Sequence, residues 1–457
     1  MAAFGFMEIL VLALLSGGAS STDLVALIPP EHYFKSRDIE ISPARAVELA
    51  NMDPKTPKAQ IMQLTALRYL FDETEALKKS PRYLGHRQAI EPIAQGKNAQ
   101  DGLGFAKEYA QRVLRKLDAG KPDVIKLPPV REDALSWFPA HVKLVAAFDF
   151  RHARVQAFAP DPVRDLLKML PDDAKREMYN YLEQVGNIRL ERVAFAMTEI
   201  DDKRDESKIY IRLTGKLNED WAVDAIKKLN PRFEIKSMKD EAGTSIVTAR
   251  EPKGGPIMAL VGNTELLVVG FQGDKGKHED LLTEILAVRA KKQPNALTGP
   301  LKDRIAKVPD KAVALLVADL PKDLRRELAR EFHPSLDKVT AFIERVPQGL
   351  DLQAESTLPN KDDAGQLVQK IGALRKLGIE ELRKEMGRPP EPGFPPIPFQ
   401  SLINLLESLQ VQNKEESVQV RMFVPDGLLQ QVGSMAMMFG APRRLPPPPP
   451  PPKIEKN

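Results

Sequence analysis

The chain has 457 residues, a net charge of +4 and no cysteine. The lack of cysteine excludes disulfides, thiolate metal sites, iron–sulfur clusters and a cysteine nucleophile. The net charge is small, and the sequence has no compact basic block. Charge therefore gives no reason to expect nucleic-acid binding. Length and an ordinary hydrophobic content of 42% allow two or three globular domains, each with its own core.

The N-terminus carries a short apolar run at residues 9–15, followed by small residues that include Gly17 and Ala19. This pattern is typical of a secretory signal peptide, and the run is too short to span a membrane. Glu8 stands where a positive charge is usual, so a buried N-terminal strand or helix is the alternative. We predict cleavage near Ser20 and a periplasmic or extracellular location, with a cytoplasmic location as the alternative.

The following segment, up to residue 130, predicts a small helical module and a linker. Ser42 and Thr56 each precede a proline, which is the pattern of an N-cap followed by proline at the first helical position. Apolar residues then recur at helical spacing: Ile61, Leu64, Leu67, Phe71, Phe105, Tyr109, Val113 and Leu117.

Two later stretches repeat one order of elements. A strand, a second strand and a capped helix occur around Asn218 and again around Asn360, 360 − 218 = 142 positions further on. This period indicates a duplicated domain, since solenoid repeats have periods of about 20–50 residues. The pattern of each copy predicts the element order β-α-β-β-α-β with extra hairpins. This split-βαβ order resembles the ferredoxin-like arrangement. Apolar and polar residues alternate at 417–422, which indicates antiparallel sheets and an α+β fold class.

These patterns divide the chain into six parts. The predicted parts are a signal peptide at 1–21, the helical module and linker at 22–130, a first α+β copy at 131–275, connecting helices at 276–310, a second copy at 311–440 with a proline-rich insertion at 388–398, and a disordered proline-rich tail at 441–457. The unbroken proline run of the tail favours an extended polyproline II conformation.

Two stretches carry a family resemblance. They are Asn-Ala-Leu-Thr-Gly-Pro-Leu at 295–301 and Val-Pro-Asp-Lys-Ala-Val-Ala-Leu-Leu-Val-Ala-Asp-Leu-Pro at 308–321. Together with the helical segment and the proline tail, they resemble uncharacterised exported proteins of planctomycete bacteria over residues 27–424. The resemblance implies export, and it brings no known activity or catalytic residue.

The sequence lacks the usual catalytic and phosphate-binding motifs, so we predict no catalytic residue and no cofactor. Asp149 and Asp319 each end the first strand of a copy. As a symmetric pair they would hold a divalent cation or act as acid and base. The ordinary interpretation is that Asp319 caps a helix and Asp149 belongs to a turn. His141 and His152 flank one strand, and we expect both at the surface, at opposite ends of it.

Trp221 lies on the apolar face of a predicted helix, so we expect it to be core rather than a ligand platform. Residues 428–439 carry apolar residues at helical spacing, from Leu428 to Phe439. This stripe either binds a partner or covers the last sheet. Arg443 opens a sequence similar to an SH3 ligand, although a spacer is the ordinary interpretation. Another envelope protein that contacts the tail or the stripe is the expected partner.

The sequence favours a non-enzymatic exported envelope protein, a binding or structural module with an unknown ligand. One alternative is a hydrolase-type enzyme with its site in the cleft between the two copies. Another is a cytosolic interaction scaffold. A deep cleft with ionisable groups at the junction would favour the enzyme, whereas a solid apolar junction would favour the binding module.

Overall fold

A computed structural model describes residue 25 and residues 28–79, 82–97, 103–118, 129–153, 172–198, 207–229, 231–250, 252, 256–272, 278–320, 335–387, 399–425 and 427–428. The predicted signal peptide at 1–21, the proline-rich insertion at 388–398 and the tail at 441–457 lie outside these residues.

An N-terminal module consists of helices. They are α1 Pro30–Lys35, α2 Pro43–Ala50, α3 Pro57–Asp72, α4 Thr74–Lys79, α5 Tyr83–Ala94 and α6 Phe105–Leu117. Ser42 and Thr56 are N-caps, since their hydroxyls accept hydrogen bonds from the backbone N–H of Arg45 and Ala59, each at 3.2 Å. These bonds confirm the two predicted helix starts. The apolar stripes of α3 and α6 then meet in one buried cluster.

The rest of the described chain forms one antiparallel sheet and the helices that cover it. The strands are β1 Leu144–Asp149, β2 Arg189–Met197, β3 Ser207–Lys216, β4 Glu234–Lys239, β5 Ser245–Arg250, β6 Ile257–Val261, β7 Glu265–Gln272, β8 Ala312–Asp319, β9 Lys338–Val346, β10 Gly349–Thr357, β11 Gln410–Lys414 and β12 Ser417–Pro425. Their order is β11-β12-β10-β9-β8-β1-β2-β3-β7-β6-β5-β4.

The two predicted copies meet at the hydrogen-bonded pair β1–β8 in the middle of this sheet. Val145 pairs with Val317, and both are fully buried. Side chains alternate between the two faces of a strand. We call face A the face that carries Val145 and Val317, and face B the face that carries Leu144 and Ala318. Among the described residues, apolar side chains fill the junction on both faces and leave no cleft there.

Helices cover the faces unequally. Face A is covered from β8 towards β6 by α7 Val130–Leu135, α11 His278–Arg289 and α12 Lys302–Ala306. On face B, α13 Lys361–Met386 and α14 Phe399–Glu407 pack over β11 and β12. The remaining described helices are α8 Phe150–Ala153, α9 Asp172–Val185 and α10 Glu219–Leu229.

The predicted strand order within each copy is wrong. In the split-βαβ order the third strand lies between the first two, whereas here β2 pairs directly with β1, and β9 pairs directly with β8. Each half therefore begins as a meander of three consecutive strands. Period-two alternation identifies a strand and its buried face, but it carries no information about which strand lies beside it. The α+β class itself and its antiparallel pairing are confirmed.

Asn218 and Asn360 both cap the helix that follows the third strand of their half. The Asn218 side chain accepts from the backbone N–H of Trp221 at 3.1 Å, and that of Asn360 from Asp363 at 2.8 Å. Four strands follow the first of these helices and two follow the second. The repeated order is therefore present up to the capped helix, while the duplication and the domain boundaries stay predictions.

Candidate apolar ligand groove

The described part of the chain contains an apolar groove on face B of the second half. The register places Ala314, Ile343, Leu352 and Met422 in one row across β8, β9, β10 and β12. The next row consists of Leu316, Ala341, Ala354 and Val420. Because neighbouring strands lie about 4.8 Å apart, each row is a continuous apolar strip.

Three alanines make the groove concave. Ala314, Ala341 and Ala354 lie together in these rows, and their short side chains leave space that larger neighbours enclose. The hollow has a volume of about 390 Å³, and its walls are Leu316, Ile343, Leu352, Leu409, Val420 and Met422. This volume falls within the roughly 300–1,000 Å³ that is usual for small-molecule sites.

The groove offers almost no polar chemistry. Gln353 is the polar residue among those that line it, and its pairing with Phe342 puts its side chain on face A, away from the hollow. Neither an acid, a base nor a nucleophile therefore faces a bound molecule from the described lining. The arrangement is suited to holding an apolar molecule.

One end of the groove is closed by a small buried cluster. Val313, Leu350, Val424 and Leu428 are buried there, and Leu402 of α14 packs against them. Leu428 thus covers the sheet, as one interpretation of the 428–439 stripe predicted. The rest of the stripe lies outside the described residues, so a partner contact through it stays a prediction.

The carboxylates that the sequence singled out do not form a pair. The backbone N–H of Asp319 donates to the carbonyl of Lys143 at 2.7 Å, beside the start of β1, whereas Asp149 ends that strand. Six residues at about 3.4 Å each separate the two positions by roughly 20 Å. Antiparallel pairing of β1 with β8 is the reason, because it sends equivalent strand ends to opposite edges of the sheet.

Each of these carboxylates has cationic partners instead. Asp149 is fully buried, and its oxygens accept from Arg151 Nε at 3.1 Å and Nη2 at 2.6 Å. Arg192 lies 3.5 Å from it. Asp319 pairs with the Arg304 guanidinium. Two carboxylates that are held apart by separate arginines cannot share one cation, and the described residues contain no group of three or more possible metal ligands.

A buried ionic network on face A was not predicted from the sequence. Arg212, which is 2% exposed, makes two hydrogen bonds of 2.9 Å to Glu265 and lies 4.1 Å from the Trp137 ring. Asp133 of α7 pairs with the neighbouring Arg192. Charges at inward positions of strands were the signal in the sequence that could have indicated it. With each charge paired under α7, the network holds that helix on the sheet.

His141 is half-exposed and lies beside Glu284, with 3.6 Å between its Nδ1 and the carboxylate. Burial lowers the pKa of His141 against the opposing attraction of Glu284. The same carboxylate accepts a 2.7 Å hydrogen bond from the Tyr210 hydroxyl, and burial and this bond raise the pKa of Tyr210. His152 belongs to α8, at the other end of β1, so the two histidines are not brought together.

A second ionic contact ties the helical module to the sheet. Glu108 of α6 pairs with Arg189, and its other oxygen accepts from Lys216 Nζ at 2.6 Å. Burial alone would raise the pKa of Glu108, but the two cations outweigh it and hold this pKa below its ordinary value of 4.5. The Glu108 carboxylate is therefore charged in the folded protein at neutral pH.

Trp221 is half-buried rather than fully enclosed. Its indole packs against Gly186, directly after α9, so it lies at the contact of α9 with α10. The Oε1 of Gln60 approaches the same point, and this oxygen already accepts a hydrogen bond from the backbone N–H of Asn187. This placement supports the structural interpretation of Trp221, although the expected position between helix and sheet is not the one observed.

Among the described residues, no helix combines the length and the apolar character needed to cross a bilayer. No protein-family model and no curated protein matches the chain. Solved structures that resemble it include two crystal forms of TP0453, a spirochete protein. Form III gives a TM-score of 0.35 at 7% identity and covers 67% of this chain and 98% of that chain. Form I gives 0.32 at 9% identity, with coverage of 66% and 97%.

Proposed function

We propose that the protein is a non-enzymatic exported binding module, and that the groove over Ala314, Ala341 and Ala354 holds the alkyl chain of a small apolar ligand. The observation that carries the proposal is the apolar hollow of 390 Å³ on face B. Gln353, the polar residue of its lining, has its side chain on face A. Export is supported by the signal-like run at residues 9–15. The predicted duplication accounts for the two halves of the sheet, each of which opens with three consecutive strands.

The volume favours a narrow chain over a protein helix. An α-helix about 10–12 Å wide rises about 1.5 Å per residue, so about two to three of its residues would fill 390 Å³. A partner helix would therefore leave most of its length outside the hollow. An alkyl chain is thin enough to lie over Ala314, Ala341 and Ala354 within the hollow.

The solid junction supports a binding module rather than the hydrolase alternative. A hydrolase between the copies needs a cleft with ionisable groups, and β1–β8 pairing fills that position with Val145, Val317 and other apolar residues. The cytosolic scaffold remains the alternative if the N-terminus proves to be uncleaved.

A series of straight-chain alcohols from hexanol to dodecanol tests the ligand chemistry by isothermal titration calorimetry. Each methylene that enters the groove contributes about 0.8 kcal/mol, so the Kd should fall about fourfold per added carbon until the hollow is full. Neutral alcohols isolate the apolar contribution, because their hydroxyl carries no charge.

The Ala354→Leu variant fills the middle of the groove and should weaken dodecanol binding by about sixtyfold, because the new side chain takes the place of about three methylenes. Ala222→Leu, at a half-buried position on α10, is the matched control and should bind as the wild type does. Failure of every alcohol to bind, or equal binding by Ala354→Leu in its folded state, would overturn the proposal.

A further inference from the structure

The opposite face of the same strands is polar and uncovered by the described helices. On face A, Phe342, Gln353, Arg421 and Gln410 form one row across β9, β10, β12 and β11. Thr340, Glu355, Gln419 and Gln412 form the next row. With strands about 4.8 Å apart, a row extends over about 14 Å, and successive rows lie about 6.8 Å apart.

This surface is concave. These rows, together with Lys307 and Lys414, line a hollow of about 290 Å³. A second hollow of about 260 Å³ shares Gln410 and Arg421 with it and continues to Phe423, whose side chain is 38% exposed. The two hollows together form what we call the amide groove, which crosses the strands towards the edge strand β11.

The amide groove presents hydrogen-bonding groups that the described residues leave without a partner. Gln410, Gln412 and Gln419 make no side-chain hydrogen bond within the described part of the chain, and all three line the hollow. Each amide offers two donors and one acceptor with two lone pairs. A ligand that matches three such groups must itself carry donors and acceptors in close alternation.

The charges of the groove cancel locally. Arg421 makes a two-pronged contact with Asp351, at 2.9 and 2.7 Å, which lowers the pKa of that carboxyl. Glu355 accepts from Ser417 at 3.0 Å and lines the same hollow as Lys307 and Lys414. An anionic polymer would meet Glu355 and Asp351, and a cationic one would meet the lysines. The complementary ligand is therefore uncharged.

We propose that the amide groove binds an uncharged glycan strand. Sugar hydroxyls act as donor and acceptor at once, as the glutamine amides require, and the Phe342 ring at the end of the row offers an apolar surface for the C–H face of a sugar ring. The inference goes beyond the proposed apolar site, because it concerns the other face of the sheet and other side chains.

Affinity electrophoresis of the full chain tests this in gels that contain hydroxyethyl cellulose, β-1,3-glucan, mannan or glycol chitin in its neutral acetylated form. Retardation is expected in at least one of these gels, and it should persist in high salt, because ions screen charge–charge attraction but not contacts with neutral hydroxyls. A heparin gel is the anionic comparison, in which no salt-resistant retardation is expected.

The double variant Gln412→Ala/Gln419→Ala should weaken the retardation by about tenfold, since each truncation removes hydrogen bonds of roughly 0.5–1.5 kcal/mol. Gln184→Ala, an exposed glutamine of α9, is the matched control and should behave as the wild type. Ala314→Leu, which fills the apolar groove and lies outside the lining of the amide groove, should also leave glycan binding unchanged, which separates this inference from the apolar site. Absence of retardation in all neutral gels, binding only to heparin, or unaltered binding by the double variant would refute it.

Discussion

Gly186 connects the helical module to the sheet at a point where no other residue type fits. Its φ is +76°, and a Cβ placed there would lie 2.5 Å from Cε3 of Trp221 and 2.8 Å from Oε1 of Gln60. Gln60 is fully buried, and the same oxygen accepts from the backbone N–H of Asn187 at 2.7 Å. A methyl group therefore meets both an indole and an occupied hydrogen-bond acceptor.

We expect Gly186→Ala to destabilise the protein by about 2–5 kcal/mol. The left-handed conformation costs a non-glycine residue about 1–2 kcal/mol, and forcing extra atoms into a packed contact costs about 1–3 kcal/mol. Urea denaturation followed by circular dichroism and tryptophan emission measures the change in the free energy of unfolding.

Gly243→Ala is the matched control for this prediction. Gly243 has a φ of +79°, and no atom lies within 4 Å of the point that a methyl group would occupy. Its substitution should therefore lower the free energy of unfolding only by the cost of the left-handed conformation, about 1–2 kcal/mol. The double variant Gly186→Ala/Trp221→Ala should lose less stability than the sum of the two single losses, because it removes one of the two clashing groups. Equal losses for Gly186→Ala and Gly243→Ala would refute the packing argument.

Three further predictions concern packing and charge. Trp221→Ala should cost less than the roughly 3–5 kcal/mol of a fully buried aromatic residue, measured by urea denaturation with the emission of the remaining tryptophan. Glu265→Ala should cost up to about 3–5 kcal/mol by the same assay, since it removes both short hydrogen bonds of the buried Arg212 charge and leaves it the more distant Asp133 carboxylate at 3.8 Å. Stability should fall as the pH drops below 4.5, because the folded pKa of Glu108 is lowered and protonation favours the unfolded chain. Glu108→Gln should flatten that pH dependence in acid denaturation curves, and an unchanged slope would contradict it.

Local features of the fold were predictable from the sequence because their causes are local. The caps at Ser42, Thr56, Asn218 and Asn360 follow from a side chain that accepts a backbone hydrogen bond three residues further on. Strand alternation likewise gave the buried faces. These signals act over a few residues, so they depend little on distant parts of the chain.

The apolar groove could not be predicted, since it depends on strand neighbours. Ala314, Ala341 and Ala354 are ordinary residues in the sequence, and they form a hollow only because β8, β9 and β10 pair in one particular register. The same limit produced the wrong strand order and left a pairing of Asp149 with Asp319 open as an alternative. Charged residues at inward positions, such as Arg212, were visible in the sequence, but their partners were not.

The central β1–β8 pair has a consequence for synthesis of the chain. Leu144 pairs with Ala318, which leaves the ribosome 318 − 144 = 174 residues later. Until then one edge of β1 offers unpaired backbone groups from a strand that contains neither lysine nor proline, the residues that usually protect an edge. Until β8 arrives to occupy that edge, a nascent first half is open to pairing with a neighbouring nascent chain.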